Sequence, residues 1–404
     1  MNPFIHALFT EYGEMIQVTE VGETLAYTWF GRPNIVFSEE ANKYWVGSTR
    51  DILEGTTQHV TEFDLINNTY TPVRVGTVYE KDDHNQAQIL IRSSDKRLIA
   101  FYSEHNGAAI RYRISTNPLS GLEWGEENIL NPGGTYTYPS PYQSTNGNIF
   151  LFYRTGHYWR YIKSTDGGET FGSPVLFYDN NNRKAYLISS QDGDKVHFVG
   201  SSGHPNFNSD LNLHTCHFYF DLITETFHQT TGEVIPVPFA SENATTVNQP
   251  TRNDSSWILD VTTKNRNPRV LYILYPDAFI ADFFVKHLYF AEFINGSWEK
   301  TFIAETMSGY MYSGEKGYSG ASRFDASNPD IIWMPKQVGG ILEIHKVDLN
   351  KTGSRKIEQI TFNSEVDNWR PISCTAPKNN LLWLKNNRYT TFTDYDISLI
   401  AKTV

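Results

Sequence analysis

The chain is poor in the features that mark several large protein classes. Cys216 and Cys374 are its only cysteines among 404 residues, too few for a disulfide-framed scaffold. No apolar run approaches the roughly 20 residues that a membrane helix requires. Basic residues are outnumbered, 34 Lys and Arg against 45 Asp and Glu. The resulting charge of −11 argues against a nucleic-acid partner. The opening MNPFIHALFTEYGEM has no basic n-region, sustained apolar core or small-residue cleavage site, so it does not read as a signal peptide. A sustained 3.6-residue apolar period is missing as well.

Aromatic residues are plentiful, with 9 Trp, 24 Tyr and 25 Phe, which excludes a disordered chain. They cluster in short runs: AQILIR (87–92), RLIAFY (97–102), AIRYRI (109–114), NIFLFY (148–153) and RYIKS (160–164). Turn-forming segments rich in Ser, Asn, Asp and Gly separate them. This is an all-β pattern, and its order recurs. Units begin near Leu25, His84, Tyr138, Lys184, Thr246, Tyr318 and Trp369. Seven such units predict one seven-bladed β-propeller of four-stranded antiparallel blades over 25–404, with 1–24 as an extension or closing strand. A β-sandwich would not explain the repeated order.

One motif marks the architecture. Residues 164–171, STDGGETF, read S-x-D-x-G-x-T-aromatic, the Asp box of neuraminidase-type repeats. Its Asp caps backbone amides and its Gly168 adopts a conformation other residues resist, so its role is structural. Residues 115–124, STNPLSGLEW, form a degenerate copy.

Candidate chemistry follows from the topology. Antiparallel first and second strands bring the start of one and the end of the other to the same mouth. His84 opens the first strand of its blade and His105 ends the second, so the two are predicted neighbours. Lys184 and His204 hold the corresponding places two blades on, and YRTGHYWRY (153–161) brings Arg154, Tyr158 and Arg160 to the same side. Histidine and tyrosine can move protons, while Arg and Lys can neutralise a carboxylate. The set fits removal of a proton α to a carboxylate, the hard step of β-elimination from a uronic-acid polysaccharide.

The stretch 84–114, the loop and Asp box of 154–171, and Gly203-His204-Pro205 followed by LHTCHFYF resemble the neuraminidase-like BNR-repeat group that contains the propeller ulvan lyases. So do HLYFAEFINGSWE (287–299), YSGASRFD (318–325) and NWRP (368–371). The resemblance implies a polysaccharide lyase on an anionic, ulvan-like glycan, in an extracellular setting. In such lyases a histidine pair serves at the cleft, and His84 and His105 match it by context and spacing. Tyr158 or Tyr161, with Arg160 or Arg183, carry over as their supporting pair. Asn85, Arg154 and Lys184 join Tyr161 and Arg183 as expected substrate contacts. A monomer is expected, with no membrane or nucleic-acid partner and no cofactor needed for catalysis.

His204, His214 and Cys216 form a dense group of N and S donors, with His287 a possible fourth. They read either as a structural zinc site or as a buried Cys beside packed histidines. Two other functions compete. A sialidase needs three arginines and a Tyr/Glu pair, for which Gly31-Arg32-Pro33 is only a faint echo. A non-catalytic glycan-binding propeller would use the same aromatics for stacking. Asp82 and Asp83, adjacent in sequence, would diverge on a strand and do not suggest a paired-carboxylate hydrolase.

Overall fold

The computed structural model describes residues 7–8, 15–18, 23–131, 133–204, 212–251, 253–278, 283–311, 314, 316–378 and 380–404. Seven antiparallel sheets follow one another along the chain, making a seven-bladed β-propeller. The first strands of the blades are Ile35–Ser38, Gln88–Ile91, Thr137–Gln143, Leu187–Asp192, Ser255–Lys264, Arg323–Phe324 and Asp367–Ser373. The fifth blade therefore starts at Ser255 rather than near Thr246. Thr245–Asn248 instead pairs with Thr215–Asp221 of the fourth blade. The ring closes through Ile16–Gln17, which pairs with Ala401 and Ile400 on the seventh blade.

Burial follows radial position. Second strands such as Leu98–Ser103 and Ile149–Thr155 are buried at every residue, because both faces meet neighbouring blades. This explains their unbroken apolar runs, where a one-sided sheet would alternate. An outer strand such as Ser297–Ser308 is largely exposed at its start. The aromatic wealth is mostly inter-blade packing. Phe152, Phe177, Phe198 and Phe220 of the third and fourth blades meet edge to face, at centroid separations of 5.2 to 5.8 Å.

The Asp box behaves as its sequence predicts. Asp166 accepts bonds from the Thr170 amide and the Ser164 hydroxyl, at 3.0 and 2.7 Å. Gly168 has φ of 93°, and Phe171 packs against Phe101 and Tyr112 of the preceding blade. The turn thus fastens two blades at the edge remote from the histidines.

Candidate active site

The first strands run from one mouth of the channel to the other, and the segment between Asp82 and Gln86 delivers the key groups to the first mouth. Asp83–Asn85 is a single 3₁₀ turn capped by Asp82, whose carboxylate accepts from the His84 amide. A turn at this point, where a strand would have splayed them, lets both acids reach one side chain. His84 Nδ1 lies 2.6 Å from Asp82 and 2.9 Å from Asp83. The other oxygen of Asp82 bonds His105 Nδ1 at 2.9 Å. The two imidazoles stack with centroids 3.9 Å apart and planes 4° from parallel. Phe392 closes their edge, 5.2 and 5.5 Å away.

Electrostatics divides the pair. Burial opposes charge on His84, but Asp82 and Asp83 prevail and raise its pKa to about 10. Burial and the neighbouring His84 charge lower His105 to about 4. At neutral pH one ring is a cation and the other is neutral. With Asp82 fixing the proton on His105 Nδ1, the lone pair sits on Nε2, which has no partner among the described residues.

Arg370 of the seventh blade anchors the acids, bonding Asp83 at 2.7 Å, and the Tyr389 hydroxyl donates to the same oxygen at 2.7 Å. Across the channel, the buried Arg154 guanidinium lies 4.9 Å from the Tyr138 ring and 4.8 Å from that of Tyr186. Desolvated cation–π pairs of this kind are worth about 2 kcal/mol. Burial would raise the Tyr186 pKa, yet Arg154, Lys184 and His84 overcome it and lower it. The cavity between these walls holds about 100 Å³ and is lined by His84, His105, Lys184, Tyr186, His204 and Tyr318. Cations exceed carboxylates here, so the local field is positive within an acidic chain.

The expected residues divide into groups. His84, His105 and Lys184 meet at the cavity, with Arg154 just behind it. Asn85 is no surface contact but a buried brace: its Oδ1 accepts from the His105 amide at 2.8 Å, and its Nδ2 donates to Glu80 O at 2.9 Å. Tyr158 donates to Asn182 at 2.7 Å, and Arg160 follows it on the same third strand, Tyr158–Ser164. Neither lines the cavity, because third strands stand away from the axis. Tyr161 is 8% exposed and packs among Phe150, Phe152 and Phe220, so it belongs to the core. Arg183 is exposed on the loop before Lys184.

Tyr138, Tyr186, Arg370 and Tyr389 escaped sequence reading. Tyr138 and Arg370 share a signature, φ of 59° and 48° beside a register shift in a first strand. Such a bulge re-aims a side chain but leaves no mark in composition.

The expected zinc ligands do not converge. Among the described residues, the only group of three or more His, Cys, Asp or Glu with ligand atoms within 4.8 Å of one another is Asp82, His84 and His105. Burial pushes Cys216 up to about 12, and its sulfur lies 4.0 Å from the Tyr178 hydroxyl. His204 faces Tyr186 and Trp257 at the channel, at 5.1 and 5.2 Å. His214 neighbours the backbone of Ser241. His287, on the fifth blade, approaches Glu305 at 3.9 Å. The echo at Arg32 also leaves this site, since its side chain lines the opposite half of the channel.

Over 119 residues the chain is 31% identical to an ulvan lyase of family PL25 from Pseudoalteromonas sp. (strain PLSV), covering 25% of this chain and 24% of that protein. An ulvan lyase from Alteromonas sp. (strain LOR) is 30% identical over the same extent. The chain thus matches about a quarter of the length of these curated relatives. A solved PL25 ulvan lyase bound to -[GlcA(1-4)Rha3S]- shares the fold, with a TM-score of 0.65 at 16% identity over 93% of this chain and 92% of that chain. Residues 26–306 match the BNR repeat-containing family, more than half of the sequence, and the chain belongs to that family.

Proposed function

We propose that the protein is a polysaccharide lyase that cleaves a uronic-acid-containing, ulvan-like polysaccharide by β-elimination. The observation that carries this reading is the stacked pair itself, one histidine held cationic and the other neutral, beside a tyrosine with a lowered pKa. The names of the partial relatives point to the same chemistry.

In this reading His84 and Lys184 hold the uronate carboxylate. Their charge stabilises the enolate that develops as the α-proton leaves. His105 Nε2 takes that proton from C5. The C5–H electrons form the C4–C5 double bond, and the C4–O bond breaks. The Tyr186 hydroxyl supplies the proton that the departing glycosidic oxygen needs, and Arg154 steadies the phenolate left behind. Asn85 is a positioning residue that fixes the His105 backbone.

The test is incubation of the full chain with ulvan and a panel of acidic polysaccharides, following the ultraviolet absorbance of unsaturated uronyl ends. Growth of that absorbance supports the proposal. New reducing ends without it would mean hydrolysis, and tight binding with neither would mean a glycan-binding module. Either result overturns the lyase reading.

A further inference from the structure

Two cavities lie along the channel. Thr28, Trp29 and Phe30 line the histidine cavity, while Arg32, Pro33 and Asn34 line a second one beyond them. The second cavity holds about 350 Å³, within the usual range for a small-molecule site. Part of its wall is apolar, from Ile35, Leu90, Val261 and Phe324.

The polar part of the lining is one-sided. Arg32 Nη1 donates to Asp260 at 2.6 Å and Nε to Trp29 O at 3.2 Å, leaving Nη2 without a partner. Arg323 donates to Asn34 Oδ1 and Trp29 O, at 3.2 and 3.3 Å, leaving Nε unused. Because Asn34 Oδ1 accepts from Arg323, its Nδ2 is the third unused donor. Arg323 is 5% exposed, Asn34 1% and Arg32 9%. Asp260 is already committed, bonding Arg32, the Val261 amide and the Phe324 amide. Among the described lining residues, every buried side-chain polar atom without a partner is a donor. All three of these residues line the one cavity.

From these donors and the apolar wall beside them we infer that the far half of the channel is a second binding site, for a small organic acid with one carboxylate on a ring. The carboxylate takes the free donors of Arg32, Asn34 and Arg323, and the ring lies on the apolar wall. Burial and the adjacent Arg32 charge lower the Arg323 pKa to about 9, a cost that a bound anion relieves. The inference stands apart from the proposed elimination, which uses the other mouth.

The experiment is calorimetric titration of the full chain with D-glucuronate, D-glucose and inorganic sulfate. Wild type and Lys184→Ala should both bind glucuronate saturably, and glucose and sulfate much more weakly. Asn34→Asp replaces a donor with a negative charge in nearly the same volume, and should weaken glucuronate on the order of tenfold or more. Arg323→Gln should act in the same direction, and Asn34→Asp decides the question if that variant fails to fold. Absence of saturable binding overturns the inference. So does binding that survives Asn34→Asp but is lost in Lys184→Ala, which would place the ligand at the histidine mouth. Equal binding of glucose or sulfate would exclude the organic-acid class.

Discussion

His84 and His105 lie face to face, 3.9 Å apart, and share one carboxylate, yet their protonation preferences are opposite. A second acid, Asp83, touches only His84 and is itself tied to Arg370. That asymmetry separates a cation from a base across a single stacking distance.

Removing the two rings should therefore fail differently. His105→Ala removes the proposed base and should lower kcat by about 10²–10⁴-fold with a nearly native melting profile. His84→Gln removes the cation, so both KM and kcat should suffer, with stability falling as well. Steady-state kinetics on ulvan with thermal melts separates the two patterns; identical behaviour would sink the division of roles.

The activity should plateau across neutral pH. Falling pH protonates His105 as it nears about 4, and rising pH removes the proton of Tyr186, held below the usual phenol value, and discharges His84 as it nears about 10. The apparent values belong to the pair as a unit. Stability follows linkage. The raised His84 pKa gives a contribution that is full below 6.5 and lost as pH climbs toward 10. The depressed His105 and Asp82 values give contributions lost as pH falls, His105 between 6.5 and 4 and Asp82 in stronger acid. A pH series of kcat/KM with urea midpoints checks both limbs.

Asn85→Ala should act through His105. The Oδ1 acceptor of the His105 amide disappears, and the imidazole loses its fixed position. We expect kcat to drop by about tenfold or more with KM little changed. Asn85→Asp retains the acceptor and should recover part of the rate, which a merely structural loss would not allow.

Arg370→Met should cost up to about 3–5 kcal/mol of stability, because buried Asp83 keeps only His84 as a neighbouring cation. Adding Asp83→Asn should return part of that loss in denaturant unfolding. Full additivity of the two losses would disprove the pairing.

The histidine pair was legible because strand polarity alone brings the start of one strand beside the end of the next. The role of Asp82 and Asp83 was not, since adjacent residues diverge on a strand but converge in the 3₁₀ turn that the chain makes here. Tyr158 and Arg160 were misplaced for a radial reason: sequence order locates a residue at a mouth but does not say how far it stands from the axis. Tyr186 and Arg370 come from other blades, and ring closure sets their distance to His84. Asn85, expected to touch substrate, shows that a polar residue beside a catalytic candidate can serve the backbone instead.

The closing strand carries a consequence for biosynthesis. Ile16 has no partner until Ala401 has been made, and Asp83 has none in Arg370 until the seventh blade exists. These contacts span nearly the whole chain, and contacts of such separation form late. A nascent chain emerging from the ribosome can complete early blades, but the histidine site stays unassembled until the seventh blade has been made. Loss of the last blade would remove function without removing either histidine.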